Sequence, residues 1–248
     1  MKRAIGLTVT MASAAALFLG AFASPASAGS GVFSITGCRD AGVRSADPIV
    51  AFGQPGAGHL HQFVANVATK ADSIYNEMIS ADTTCKLSTD TSAYWAPALL
   101  GPKGRVVELR SANAYYRASS SRSGTIVAFP QDLRIVAGAP DVRTGTDKVI
   151  GWSCDDASPY RATIPNCKKR PGNYVKAHIV FPSCWDGVNL DSVDHRSHMA
   201  YPDGARCPAT HPIAVPRLSM HFTWKVENGR RYSLSTDEMF GTSAGRSL

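Results

Sequence analysis

Four of the chain's seven histidines fall in two short runs, Gly58-His59-Leu60-His61 and Asp191-Ser192-Val193-Asp194-His195-Arg196-Ser197-His198. An extended His-x-His segment sends both imidazoles from one face, within reach of a common cation or a common substrate proton. The later run adds His195 and His198, with Asp186, Asp191 and Asp194 around them. Zinc is commonly held by three or four such donors, with imidazole nitrogens about 2.0–2.1 Å from the ion. His59, His61, His195 and His198 are therefore a candidate metal set. Nickel, copper or manganese would use similar groups, so the cofactor implied is one divalent transition metal of open identity. Without a metal, His59, His61, Asp194, His195 and His198 suit acid–base catalysis. In that reading His59 and His195 carry protons and Asp194 orients a ring. The competing reading is structural: the same side chains hydrogen-bond loops together and perform no reaction.

The neighbours of the late run suggest what would bind there. Arg196 offers a planar fork for a substrate carboxylate. Tyr201 brings a phenol near His198, a pairing suited to proton abstraction beside a carboxylate, as in cleavage of uronic-acid polymers. Trp185 lies in Phe181-Pro182-Ser183-Cys184-Trp185-Asp186-Gly187 and is the aromatic best placed to stack on a sugar ring. Tyr94, Trp95, Tyr115, Tyr116 and Trp152 have the same flat faces, although filling a core is the commoner use of such residues. Gly56, Gly58 and Gly187 would let backbone approach the site closely. No HExxH and no P-loop occurs, which removes support for a zincin or a nucleotide-binding protein.

The compartment follows from the ends and the cysteines. Lys2-Arg3, a largely apolar Ile5–Phe22 and Ala26-Ser27-Ala28 read as an export leader over residues 1–28. The mature chain, 29–248, has no later stretch long enough to span a bilayer, so no membrane insertion is expected. Without Lys2 and Arg3 the 26 basic residues fall to 24 against 19 acidic, a net charge of +5. That surplus favours anionic partners weakly, such as acidic glycans. The basic residues are scattered, apart from Lys168-Lys169-Arg170 ahead of Pro171-Gly172, so no nucleic-acid footprint is present. Cys38, Cys85, Cys154, Cys167, Cys184 and Cys207 make an even count, which in an exported protein reads as three disulfides. Several pairings are possible. The sequential set Cys38–Cys85, Cys154–Cys167 and Cys184–Cys207 is favoured because each closes a short or moderate loop.

Glycine and proline punctuate nearly every segment, which argues against long helices. Strand-like pieces recur at 92–100, 106–109, 114–117, 125–129, 133–136, 148–152, 174–181 and 213–224. Two of them alternate. Val175, Ala177, Ile179 and Phe181 fall on one side of the first; Leu218, Met220, Phe222 and Trp224 fall on one side of the last. Period two marks half-buried strands and places His178 and His221 on their more polar faces. Only 70–80 and 236–240 look capable of a helical turn or two. The expected architecture is one mainly β domain, an antiparallel β-sandwich or distorted jelly-roll-like barrel with little helix. Long rim loops such as 182–212 would carry the binding groups.

Several segments together resemble the DUF1996 family. They are Asp47-Pro48-Ile49-Val50, Gly53-Gln54-Pro55-Gly56 followed by His59-Leu60-His61-Gln62-Phe63, and Ala93-Tyr94-Trp95-Ala96-Pro97 with Tyr115-Tyr116-Arg117. Further on come Phe181 to Gly187, Asp194-His195-Arg196-Ser197-His198-Met199-Ala200-Tyr201 and Cys207-Pro208-Ala209-Thr210-His211-Pro212. The match runs from about Val43 to Trp224. It implies an exported protein of filamentous bacteria or fungi, in a family sometimes joined to carbohydrate-binding or wall-associated modules. Polysaccharide or cell-wall glycan is the partner this implies. The family usually carries His-Asp where this chain has His61-Gln62, so one carboxylate expected near the early histidines is missing.

Overall fold

The computed structural model describes residues 32–118, 125–138, 149–154, 161–167, 173–227 and 230–239. The expected leader and the Lys168-Lys169-Arg170 turn lie outside the described residues. The fold is mainly β, with several antiparallel sheets and little helix. The first part of the chain forms β1 (Val32–Cys38), β2 (Asp40–Arg44), β3 (His61–Ala65), the short helix α1 (Tyr75–Met78), β4 (Ala93–Pro97) and β5 (Leu99–Leu100). Then follow β6 (Leu109–Arg117), β7 (Ile150–Ser153), β8 (Tyr174–Val180), β9 (Cys184–Trp185) and β10 (Met199–Ala200). The last elements are β11 (Ile213–Ala214), β12 (Arg217–Lys225), β13 (Ser233–Leu234) and α2 (Ser235–Met239).

The largest sheet has the order β1-β6-β12-β8-β7, with every neighbouring pair antiparallel. Among the described residues it ends at β1 and β7 without closing on itself. β12 sits at its centre. Alternation along it buries Leu218, Met220, Phe222 and Trp224 in the main core, together with Val175, Ala177 and Ile179 of β8. The opposite face carries Ser219, His221 and Thr223, and His221 pairs in register with His178 at a ring separation of 4.3 Å. Both histidines thus sit on the polar faces their spacing predicts.

A second sheet, β2-β3-β4, holds the early histidines. Every residue of β3 is buried, and Val64, Tyr94 and Ala96 of this sheet share one core cluster with Phe222 and Trp224 of the first. Gln62 ties the two together. Its side chain accepts from Trp224 Nε1 at 2.7 Å and donates to the Val107 carbonyl at 3.0 Å. The three disulfides follow the sequential pairing: Cys38–Cys85, Cys154–Cys167 and Cys184–Cys207. No helix among the described residues is long and apolar enough to cross a membrane.

Three expectations about local structure need correction. The strands expected at 106–109 and 114–117 belong, from Leu109 on, to one strand, β6, paired on both sides. Small Ala112 and Ala114 face its core side, so apolar periodicity alone underestimates it. The pieces at 125–129 and 133–136 are not strands. Val127 N–H bonds to the Ala214 carbonyl and Arg134 N–H to the Leu190 carbonyl, so this segment binds loops and short ladders instead of a regular partner strand. The helix expected over 70–80 shrinks to Tyr75–Met78, whereas α2 at Ser235–Met239 falls where one was expected.

Candidate functional site

His61 opens β3, and His59 precedes it by two positions, so the extended chain projects both rings to one side. Their centroids are 4.2 Å apart. Gly58 takes φ +83°, a conformation that side chains other than glycine's rarely adopt, yet a Cβ there would meet nothing within 4 Å. Its purpose is the turn that aims His59, and close approach is not involved. Gly187 differs: φ is +85° and a Cβ would lie 3.1 Å from Ile213 Cγ1.

His61 is buried, and its Nδ1 donates to the Ala46 carbonyl at 2.9 Å. That leaves Nε2 facing Asp47 Oδ2 at 3.9 Å, which is ion-pair range and too long for a hydrogen bond. Asp47 Oδ1 is occupied by the Ile49 and Val50 N–H groups, each at 2.9 Å. Burial holds His61 below the usual imidazole range, although Asp47 and the Ala46 bond pull the other way. His59 is pushed down to about 4 by burial and then by its neighbour His61, opposed by Asp47. Both rings are therefore neutral at neutral pH. Nε2 of His59 is shielded from solvent and has no hydrogen-bond partner among the described residues.

These residues line a cavity of about 470 Å³, within the range of roughly 300–1,000 Å³ typical of small-molecule sites. Asp47, His59 and His61 form one wall, Tyr94, Trp95 and Tyr116 supply aromatic surface, and the irregular segment from Phe129 to Gly138 forms another wall. Trp95 is stacked on Phe63 with ring centres 5.7 Å apart, which fixes its orientation. The late loop reaches the cavity through Arg196 alone among Asp191–His198. Arg196 Nε donates to the Gly138 carbonyl at 3.3 Å, and its terminal nitrogens make no hydrogen bond to the described residues.

The late histidines are placed differently. His198 is 1 % exposed, with Nε2 donating to the Arg134 carbonyl at 2.6 Å and Nδ1 lying 2.9 Å from the Ser192 hydroxyl. Both ring nitrogens are occupied. His195 takes φ +56°, and its Nδ1 is 3.0 Å from both oxygens of Asp191. Asp191 is thus its orienting carboxylate, where Asp194 was expected. Asp194 ties its own loop instead: Oδ1 accepts from the Arg196 and Ser197 N–H groups and from the Ser192 and Ser197 hydroxyls. The Ser197 N–H foremost, then the Ser192 hydroxyl, hold this carboxyl well below the ordinary range.

The early and late pairs do not merge into the expected four-histidine metal set. Among the described residues no three His, Cys, Asp or Glu groups gather to hold an ion. The other recognition residues are redistributed too. Trp185 Nε1 donates to the Asn189 carbonyl at 2.6 Å, and Trp185 does not line the cavity. The Tyr201 hydroxyl donates to the Val180 carbonyl at 2.8 Å. Trp152 is in the core, while Tyr115 packs on His221 with ring centres 4.7 Å apart. Gln62 points into the core, so a carboxylate in its place would not have faced the site; Asp47 is the one that does.

Sequence reasoning passed over two features. Asp90, fully out of the aromatic motif, contacts the Tyr94 hydroxyl at 3.2 and 3.3 Å, and Tyr94 meets Tyr116 hydroxyl to hydroxyl at 2.5 Å. The alternation Tyr94-Trp95-Ala96 hinted at Tyr94, but only folding brings Tyr116 to it. Gly241-Thr242-Ser243-Ala244-Gly245 fits the GxSxG spacing of an esterase elbow. It follows a helix in the chain, whereas an elbow requires a preceding strand, and it lies outside the described residues.

A family model, described as a domain of unknown function (DUF1996), matches residues 47–247. The chain belongs to that family. No curated protein and no solved structure matches it. The matched span includes the whole histidine wall, the aromatic wall and Arg196.

Proposed function

We propose that this is an exported, polysaccharide-directed protein, built as one domain, whose cavity takes a segment of cell-wall or related glycan. One observation carries the reading: a single cavity brings together Trp95, Tyr94 and Tyr116 with His59, His61, Asp47 and Arg196. Flat aromatic surface with a few convergent polar groups is the pattern of a sugar site, since pyranose rings stack on such faces while their hydroxyls seek fixed partners. Three disulfides fit an oxidising compartment outside the cell.

Binding is better supported than cleavage. General acid–base catalysis works best when the group titrates near the working pH, and His59 titrates at about 4. A neutral His59 accepts a ligand hydrogen bond well and transfers protons poorly. Glycan cleavage is the second reading, favoured by the placement of His59, His61 and Asp47 in the same cavity as Arg196. A screen of the purified protein against acidic and neutral polysaccharides separates the two. Retention on polymer without new reducing ends or unsaturated products, abolished by Trp95→Ala, supports the binding module. Product formation lost in His59→Ala supports cleavage, and elemental analysis of the same preparation reads any divalent metal bound. Neither retention nor products with any polymer sinks both readings.

A further inference from the structure

The inner wall of the cavity contains a hydrogen-bond chain that runs in one direction. Asp90 is 7 % exposed and receives the Ser92 N–H at 3.2 Å as well as the Tyr94 hydroxyl. An ionised carboxylate only accepts, so the Tyr94 proton is directed at Asp90. The Tyr94 oxygen must then accept from Tyr116, and the 2.5 Å contact between the two hydroxyls fits that assignment. Each phenol has one proton. With its own spent on Tyr94, Tyr116 keeps only acceptor capacity for whatever reaches its oxygen. A ligand group there must donate, as a sugar hydroxyl does. Both tyrosines resist ionisation: burial first, then contact with Tyr116 and Asp90, raises Tyr94, and burial pushes Tyr116 up to about 12.

Arg196 has the reverse polarity. Four charged side chains line this cavity, and three are already engaged. Asp47 is held by two N–H groups and faces His61, while Asp132 and Arg134 face each other at 3.8 Å. Arg134 also lies 3.9 Å from Asp191. Among the described residues no carboxylate pairs with the Arg196 side chain, whose terminal nitrogens are left to bind a planar anion through two parallel bonds. Resting on the sugar-binding reading, we propose that the cavity selects an acidic sugar: Arg196 takes the carboxylate of a hexuronate unit, and Tyr116, fixed by Tyr94 and Asp90, accepts from a ring hydroxyl.

Calorimetric titration of the full mature chain with trigalacturonate, its methyl ester and the neutral trisaccharide cellotriose tests this. The acid should bind about ten- to a hundredfold more tightly than the ester, the span of a charge-assisted pair. Arg196→Gln should erase that preference, bringing acid binding down to the level of the ester. Tyr116→Phe should weaken acid and ester alike by about three- to tenfold, since it removes a neutral hydrogen bond. Asp90→Asn supplies a donor that lets the chain run backwards; a ring hydroxyl can then accept from Tyr116, so it should cost less than Tyr116→Phe, with no further loss in the double variant beyond that of Tyr116→Phe. If Asp90→Asn fails to fold, Tyr116→Phe against the acid and ester pair decides alone. Equal binding of acid and ester, or of cellotriose and acid, overturns the acidic-sugar assignment and leaves the glycan reading standing. Binding of none of the three overturns the acidic-sugar assignment, and the polymer screen then decides the glycan reading.

Discussion

His59 and His61 are neutral because the fold withdraws them from water faster than Asp47 can compensate. Their folded pKa values lie below the unfolded value of about 6.5, so the unfolded chain binds more protons in the interval between. Stability contributed by the neutral rings is thus complete above pH ~6.5 and is lost as pH falls towards about 4. Melting temperature measured across that window should decline on acidification, and His59→Gln should flatten the slope. An unchanged slope would show that His59 titrates normally. His198 belongs to a different class of histidine. Removing its two buried bonds in His198→Ala should cost on the order of 2–4 kcal/mol, read as a shift of the urea midpoint. A loss of sugar binding without a loss of stability would place His198 in the site after all.

The loop from Asp191 to His198 is organised by carboxylates that bond to its own backbone and hydroxyls. Asp194 gathers four donors on one oxygen, and one of them is the N–H of Arg196. Turn geometry is therefore transmitted to the only residue of this loop that lines the cavity. Asp194→Ala should loosen the turn, speed hydrogen exchange at the Ser197 amide and weaken binding of an acidic oligosaccharide several-fold while leaving melting temperature nearly unchanged. If exchange at Ser197 stays slow, the turn is held by other contacts. The same logic explains the 125–138 segment, whose apolar residues read as strands but are pinned by isolated backbone bonds, Val127 to Ala214 and Arg134 to Leu190. A segment with that anchoring can follow the contour of a cavity, as a pleated ladder cannot.

Gln62 connects the histidine-bearing sheet to the large sheet through Trp224 and Val107, and also receives the Leu99 N–H at 3.4 Å. It is fully buried. Gln62→Ala orphans the Trp224 and Leu99 donors and the Val107 acceptor, at about 1–3 kcal/mol for each buried group left unsatisfied. The variant should unfold at markedly lower denaturant and, because β3 carries His61, bind sugar less well even when folded. Unaltered stability would mean that apolar packing between Val64, Ala96, Phe222 and Trp224 suffices to hold the sheets together. At this position the side chain points into the core, where an amide can both donate and accept and a carboxylate can only accept.

Periodicity, cysteine spacing and local motif were enough to determine a good part of this protein. Alternation in 174–181 and 213–224 located two central strands and the faces of His178 and His221, because a pleated strand converts period two directly into sidedness. The short loops closed by sequential cysteine pairs foretold the disulfides, and His-x-His foretold two rings on one side. Long-range placement was not encoded in any local pattern. That His198 is buried against the Arg134 carbonyl, that Asp191 and not Asp194 meets His195, and that Arg196 alone joins the early histidines all depend on how loops pack. The His198–Arg134 contact spans 64 positions and the His195–Asp191 contact only 4, and identical His and Asp spacings serve equally well for chemistry or for pinning a turn. Which of the two a given side chain does is set by what the folded chain places opposite it, and that is a property of the tertiary packing.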